Sequence, residues 1–172
     1  LMDNGLRVVL IPDSTKDTVT VNITYFVGSR HEVYGETGLA HLLEHMVFKG
    51  TKNFPDFRKQ VADRGGSKNG STWYDRTNYF ETLPATGDNL EWAISFEADR
   101  MRNAVMTEKK LKPERTVVIN ELDMYANNAT GVLSEKVEAM SYMFHGYGHS
   151  TIGSKSDLRK VSLEKVLAFY DK

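Results

Sequence analysis

Apolar residues recur along this chain with two different periods. Leu6-Arg-Val-Val-Leu-Ile11 is a short, β-branched apolar run closed by Pro12 and Asp13. From Thr18 to Val27 apolar and polar residues alternate, which puts Val19, Val21, Ile23, Tyr25 and Val27 on one face. Both stretches predict strands. A polar loop from Gly28 to Gly38, carrying Arg30, His31, Glu32 and Glu36, leads to a change of period. From Thr37 to Phe48 the apolar residues Leu39, Leu42, Leu43, Met46 and Val47 gather on one side of a helix, which Gly50 then stops. A short helix is predicted over 55–64, opened by Pro55 and ended by Gly65-Gly66. Two strands follow, over 67–75 and 77–83. Beyond a turn at 84–88 come helices over 89–105, with Leu90, Ala93, Ile94, Ala98 and Met101 at core spacing, and over 113–127, opened by Lys112-Pro113-Glu114. A helix over 132–144, a Gly- and His-bearing loop and a last helix from about 157 complete the chain. Strands followed by a larger share of helix predict an α+β fold, an antiparallel or mixed sheet packed by helices.

Composition narrows the classes of function. The 172 residues suffice for one domain with a real core, read here as a single unit over 1–172. A net charge of −1 gives no electrostatic case for a nucleic-acid partner or an anionic membrane. No apolar run approaches the length of a membrane span. With no cysteine, disulfides and thiolate ligands are excluded, and any metal falls to His, Asp and Glu.

The polar side of helix 37–48 then carries the chemistry. His41 and His45 are one turn apart and share a stripe, so both imidazoles can reach one metal ion, and Glu44 flanks that stripe. Two histidines at this spacing are often plain surface residues. A carboxylate on the same face and an apolar back favour the arrangement of a zinc hydrolase helix, written in the order H-x-x-E-H. Catalytic zinc usually takes a third protein ligand. Helix 113–127 offers Glu114 and Glu121, two turns apart on one face. Spacing does not choose between them: either could supply an oxygen to zinc while the other braces a histidine. His145 and His149 are separated by Gly146 and Gly148, and with His31 they read as loop residues.

Taken together, His41-Leu-Leu-Glu-His45-Met-Val-Phe-Lys-Gly-Thr51 and Glu114-Arg-Thr-Val-Val-Ile-Asn-Glu121 resemble the pitrilysin/insulinase family of zinc metallopeptidases, which includes bacterial insulinase-like proteases and the mitochondrial processing peptidase. The resemblance extends to the opening stretch Leu1 to Leu10, to Gly28-Ser-Arg30 and Glu32, to Asn69, Thr72, Thr77 and Tyr79, and to Thr151-Ile-Gly153 and Phe169-Tyr170. It implies that His41, His45 and Glu121 bind one zinc ion per chain, that Glu44 is the general base, and that Glu114 supports the site. It also implies that Ser67, Lys68, Asn69, Gly70, Ser71 and Thr72 form an edge strand to which an extended peptide or unfolded protein substrate adds. Gly70 stands where the family often has Ala, a difference expected to be of little consequence. The family's proteases carry a second, homologous half that closes over the site. This chain is therefore expected to be the N-terminal catalytic, zinc-binding domain, completed by a C-terminal homologous domain, a partner subunit or, as a homodimer, a second copy. Alone it is expected to bind zinc and cleave slowly. The rival reading is a non-catalytic partner or structural subunit of the same family. Specificity and compartment are left open, with a bacterial periplasm or cytoplasm favoured over an organelle.

Overall fold

A computed structural model describes residues 1–172. The elements are β1 (Thr18–Tyr25), α1 (Leu39–Val47), α2 (Phe57–Asp63), β2 (Ser67–Thr72), β3 (Thr77–Pro84), α3 (Asn89–Asn103), α4 (Glu108–Tyr125), α5 (Ala129–Ser141), α6 (Lys155–Lys160) and α7 (Leu163–Tyr170), with short 3-10 turns at Ser29–His31 and Gly146–Gly148. The fold is α+β. Its sheet is antiparallel throughout, in the order β1-β3-β2. In β3 every second residue, from Thr77 through Tyr79 and Glu81 to Leu83, is buried. The apolar face predicted for β1 is half-buried from Val19 to Tyr25. The back of α1 goes into the core as its period requires: Leu39, Leu42, Met46 and Val47 are buried, together with Phe57, Phe96, Leu111, Val118, Leu158 and Val166.

Several expectations are corrected. Leu6–Ile11 is not a strand: its residues are exposed and it joins no ladder. Apolar, β-branched composition fits a pleated surface, but a strand exists only where a neighbour accepts its N–H and C=O groups. Helix α4 begins at Glu108, where Thr107 caps it by accepting from the Lys110 N–H (3.3 Å). A capped start outweighs the single backbone donor that Pro113 removes one turn later. Helix α5 begins at Ala129 because Asn128 accepts from the Gly131 N–H (3.0 Å). The final helix is two, α6 and α7, each opened by its own serine cap, Ser154 and Ser162.

The buried face of α3 also differs. Leu90 and Ile94 are half-exposed, whereas Ala93, Phe96, Glu97 and Arg100 are buried. Arg100 pairs with Glu97 and with Glu81 of β3 (3.3 Å) and lies against the rings of Phe48, Phe57, Tyr79 and Phe96. Hydropathy patterning assigns charged residues outward, so a buried ion cluster turns the helix away from the expected face.

Candidate metal centre

Two helices build the site. One turn of α1 brings the rings of His41 and His45 to 4.7 Å, edge to face. Glu121 of α4 reaches across to both: its Oε2 is 3.5 Å from His45 Nε2 and 3.9 Å from His41 Nε2. Donor atoms of the three residues lie within 4.8 Å of one another. Ligands around tetrahedral zinc, with bonds of about 2.0–2.2 Å, stand roughly 3.4 Å apart. Glu121 thus stands within about 0.5 Å of that spacing from each imidazole, and with all donors inside 4.8 Å the three side chains can close on such an ion by side-chain adjustment.

Glu114 occupies a different place. Its Oε1 accepts from His45 Nδ1 (3.0 Å) and it pairs with Lys49, so it holds the nitrogen that faces away from Glu121. Burial alone would raise its pKa. The hydrogen bond from His45 and the Lys49 ammonium instead hold it down to about 2. Burial, and to a lesser degree the neighbouring His45, lower His41 to about 4, so its imidazole is neutral at pH 7. Its Nδ1 is buried with no hydrogen-bond partner.

Glu44 points to the sheet. It is buried and accepts from the Thr72 hydroxyl at 2.6 Å. Burial raises its pKa, against the lowering effect of that hydrogen bond. The stretch Ser67–Thr72 is strand β2 at the edge of the sheet, paired on one side only, with β3. Its alternate residues Lys68, Gly70 and Thr72 face α1. Lys68 Nζ sits 4.6 Å over the Phe48 ring. Ser67 and Asn69 are exposed, Ser71 is half-buried, and the Ser71 carbonyl accepts from Arg76 (3.3 Å). Gly70 is a closer fit than expected from sequence: a Cβ there would meet Phe48 Cε2 at 2.9 Å and Glu44 Oε1 at 3.0 Å. A cavity of about 530 Å³ opens beside His41 and Thr72, walled by Tyr74, Glu135, Glu138 and the segment 150–155.

His31, His145 and His149 stay outside the cluster, as loop residues. His31 turns back on Gly28, His145 caps the Tyr147 N–H, and His149 lies 3.8 Å from Glu32. What sequence reasoning missed is the anchoring of α1. Glu32 accepts from the N–H groups of Gly38 (2.9 Å) and Ala40 (2.7 Å), and Asp157 accepts from the Thr37 N–H (3.2 Å) and hydroxyl (2.6 Å). Burial pushes Glu32 up to about 8, against these backbone bonds. No periodicity links Asp157 to a helix so far away in the chain.

The model of the insulinase (peptidase family M16) family matches residues 7–155. The chain belongs to the insulinase family. Among its relatives, the zinc protease PqqE of Helicobacter pylori is 35% identical over 98% of this chain and 38% of its own length. The crystal structure of a protease from Helicobacter pylori superposes with a TM-score of 0.88 at 35% identity, covering 98% of this chain and 41% of that one. An M16 domain from Pseudomonas fluorescens described as inactive shares the fold, with a TM-score of 0.80 at 15% identity over 90% of this chain and 38% of that one. The chain thus spans less than half the length of these insulinase-family proteins. No helix is long and apolar enough to cross a membrane.

Proposed function

We propose that this chain is the metal-binding catalytic domain of a zinc endopeptidase that hydrolyses extended peptides, with one zinc per chain held by His41, His45 and Glu121 and with Glu44 as general base. The observation that carries this reading is the convergence of two imidazoles and a carboxylate within 4.8 Å of one another, next to a buried carboxylate outside the trio. Two histidines and one glutamate are a donor set that suits catalytic zinc. When bound, zinc would polarise the scissile carbonyl and acidify a water molecule. The protein's own residues supply the proton traffic and the positioning. Glu44, whose proton affinity is raised by burial, takes a proton from the attacking water and returns it to the leaving amine, while Thr72 keeps one of its oxygens in place. Glu114 accepts from His45 Nδ1–H and so leaves the Nε2 lone pair free for the metal. The unpaired edge of β2, Ser67 to Thr72, offers backbone groups that an extended peptide can join as a further strand.

In the whole protein a homologous half, fused or separate, would close over this edge and exclude water. The rival reading, a non-catalytic family member, is disfavoured because His41, Glu44, His45 and Glu121 are all present. The test is a pair of substitutions in the full-length protein. Glu44→Gln should keep one zinc per chain and lower peptide hydrolysis by about 10²–10⁴-fold, whereas Glu121→Gln should lose the zinc. Normal cleavage by the first variant, or full zinc content in the second, overturns the assignment.

A further inference from the structure

The two histidines of α1 are supported unequally. His45 is oriented through its far nitrogen, which Glu114 holds at 3.0 Å. His41 has no such partner, since its Nδ1 is buried and unbonded. Metal-binding histidines normally have that second nitrogen tied down, because the tie sets the ring's orientation. For His41 the orientation has to come from the backbone that carries it. That backbone is held by Glu32. The Glu32 side chain is fully buried and makes no bond to lysine or arginine; the His149 imidazole lies 3.8 Å away, and Asp157 and Glu36 are its acidic neighbours. Its two oxygens take the N–H groups of Gly38 and Ala40, which open α1 immediately before His41. Gly38 has a left-handed backbone (φ 89°) and provides no side-chain cap. The carboxylate therefore reaches in from outside the helix and satisfies donors that would otherwise be buried and unpaired. Burying a carboxyl group is costly, and here both of its oxygens are used on one turn of one helix.

We infer that Glu32 is a positioning residue for the metal centre, fixing the first turn of α1 and through it the direction of His41. This rests on the reading of His41 as a zinc ligand. Coordination tolerates only about 0.2 Å in bond length. Letting go of Gly38 and Ala40 would loosen the turn that leads into His41, and with it the direction of that ring relative to His45, without touching either ring.

The test uses the full-length protein with cobalt in place of zinc, since the visible bands of cobalt report ligand geometry. Glu32→Gln keeps the volume but carries one good acceptor instead of two. It should shift or weaken those bands and lower zinc affinity by about 10–100-fold, the usual effect of removing a residue that orients a ligand. Glu32→Asp, which keeps both carboxyl oxygens on a shorter stem, should fall between the parent and the glutamine variant and carries the same test if the glutamine variant does not fold. A purely structural role would lower the melting temperature of the metal-free protein and leave the spectrum unchanged. An unchanged spectrum, with zinc affinity within threefold of the parent, overturns the inference. If the parent itself gives no cobalt spectrum, or gives one that Glu121→Gln leaves intact, the zinc reading fails first and this inference with it.

Discussion

Two groups of carboxylates in this molecule face opposite ways. In the core, Glu81 and Glu97 converge on Arg100, with all three side chains at most 1% exposed. At the site, Glu121 is one-third exposed and faces two imidazole nitrogens in place of a lysine or arginine. The core cluster supplies its own cation, and burial together with the neighbouring Glu97 raises Glu81 so that it holds a proton at neutral pH. Its cation and its acids all come from the chain itself, although Glu81 Oε2 and Arg100 Nη1 are left without a hydrogen-bond partner. The site sets a carboxylate against two imidazole nitrogens, an arrangement that suits a shared metal ion. Charge matched by arginine holds a fold together, whereas charge matched by imidazole leaves chemistry open.

The sharpest way to break this contrast is to remove the core's cation. Arg100→Met leaves the buried Glu81–Glu97 pair without its cation and should destabilise the protein by about 3–5 kcal/mol. Chemical denaturation of the metal-free protein measures it. A loss under 1 kcal/mol would show that the cluster is not what organises α3.

Next in size is the effect of Glu114, which supports the site through His45. Glu114→Gln should lower zinc affinity by about 10–100-fold with the fold retained, as read by competition with a chelator. The same variant sharpens the comparison through pH. His41 and Glu114 both have folded-state pKa values below their ordinary ones, about 4 against 6.5 and about 2 against 4.5. The unfolded chain then binds protons more readily, so the stability these groups contribute is present above those ordinary values and lost as pH falls, from 6.5 to 4 for His41 and from 4.5 to 2 for Glu114. Glu81 has the opposite sign: raised from 4.5 to about 9, it contributes stability that is lost as pH rises through that range. Acid should weaken the site and alkali the core. Denaturation midpoints against pH should therefore lose their lowest acid limb in Glu114→Gln and the upper part of their alkaline limb in Glu81→Gln, with the contribution of Glu32 remaining.

The smallest expected effect lies where the site meets the sheet. Gly70→Ala places a methyl group against Phe48 and Glu44, each of which must yield by a few tenths of an ångström. A stability cost of about 1 kcal/mol, at the low end of overpacking, is expected. A several-fold change in turnover should accompany it, because Glu44 is one of the two neighbours. Parent-like stability and rates would mean that Phe48 turns aside freely.

What the sequence determined by itself is whatever repeats within one element. The period of 37–48 placed His41 and His45 on one stripe and Leu39, Leu42 and Met46 on the other, because side chains one turn apart in a helix must share a face. Alternation likewise identified β1, and strands followed by a larger share of helix identified the α+β class. The tertiary structure decided what depends on elements far apart in the chain. Glu114 and Glu121 sit on one face of one helix and cannot be told apart by spacing. Only the crossing of α1 over α4 sets Glu121 against the two Nε2 atoms and Glu114 against the far nitrogen of His45. Leu6–Ile11 has the residues of a strand and no neighbour to pair with, and α3 buries Arg100 where hydropathy would place Ile94. Glu32 and Asp157 became anchors of the metal helix only once folding brought their carboxylates to its first turn. Local periodicity follows from backbone geometry, which each short stretch carries in itself. Pairing, burial of charge and the choice among equivalent carboxylates follow from packing, which no single stretch contains.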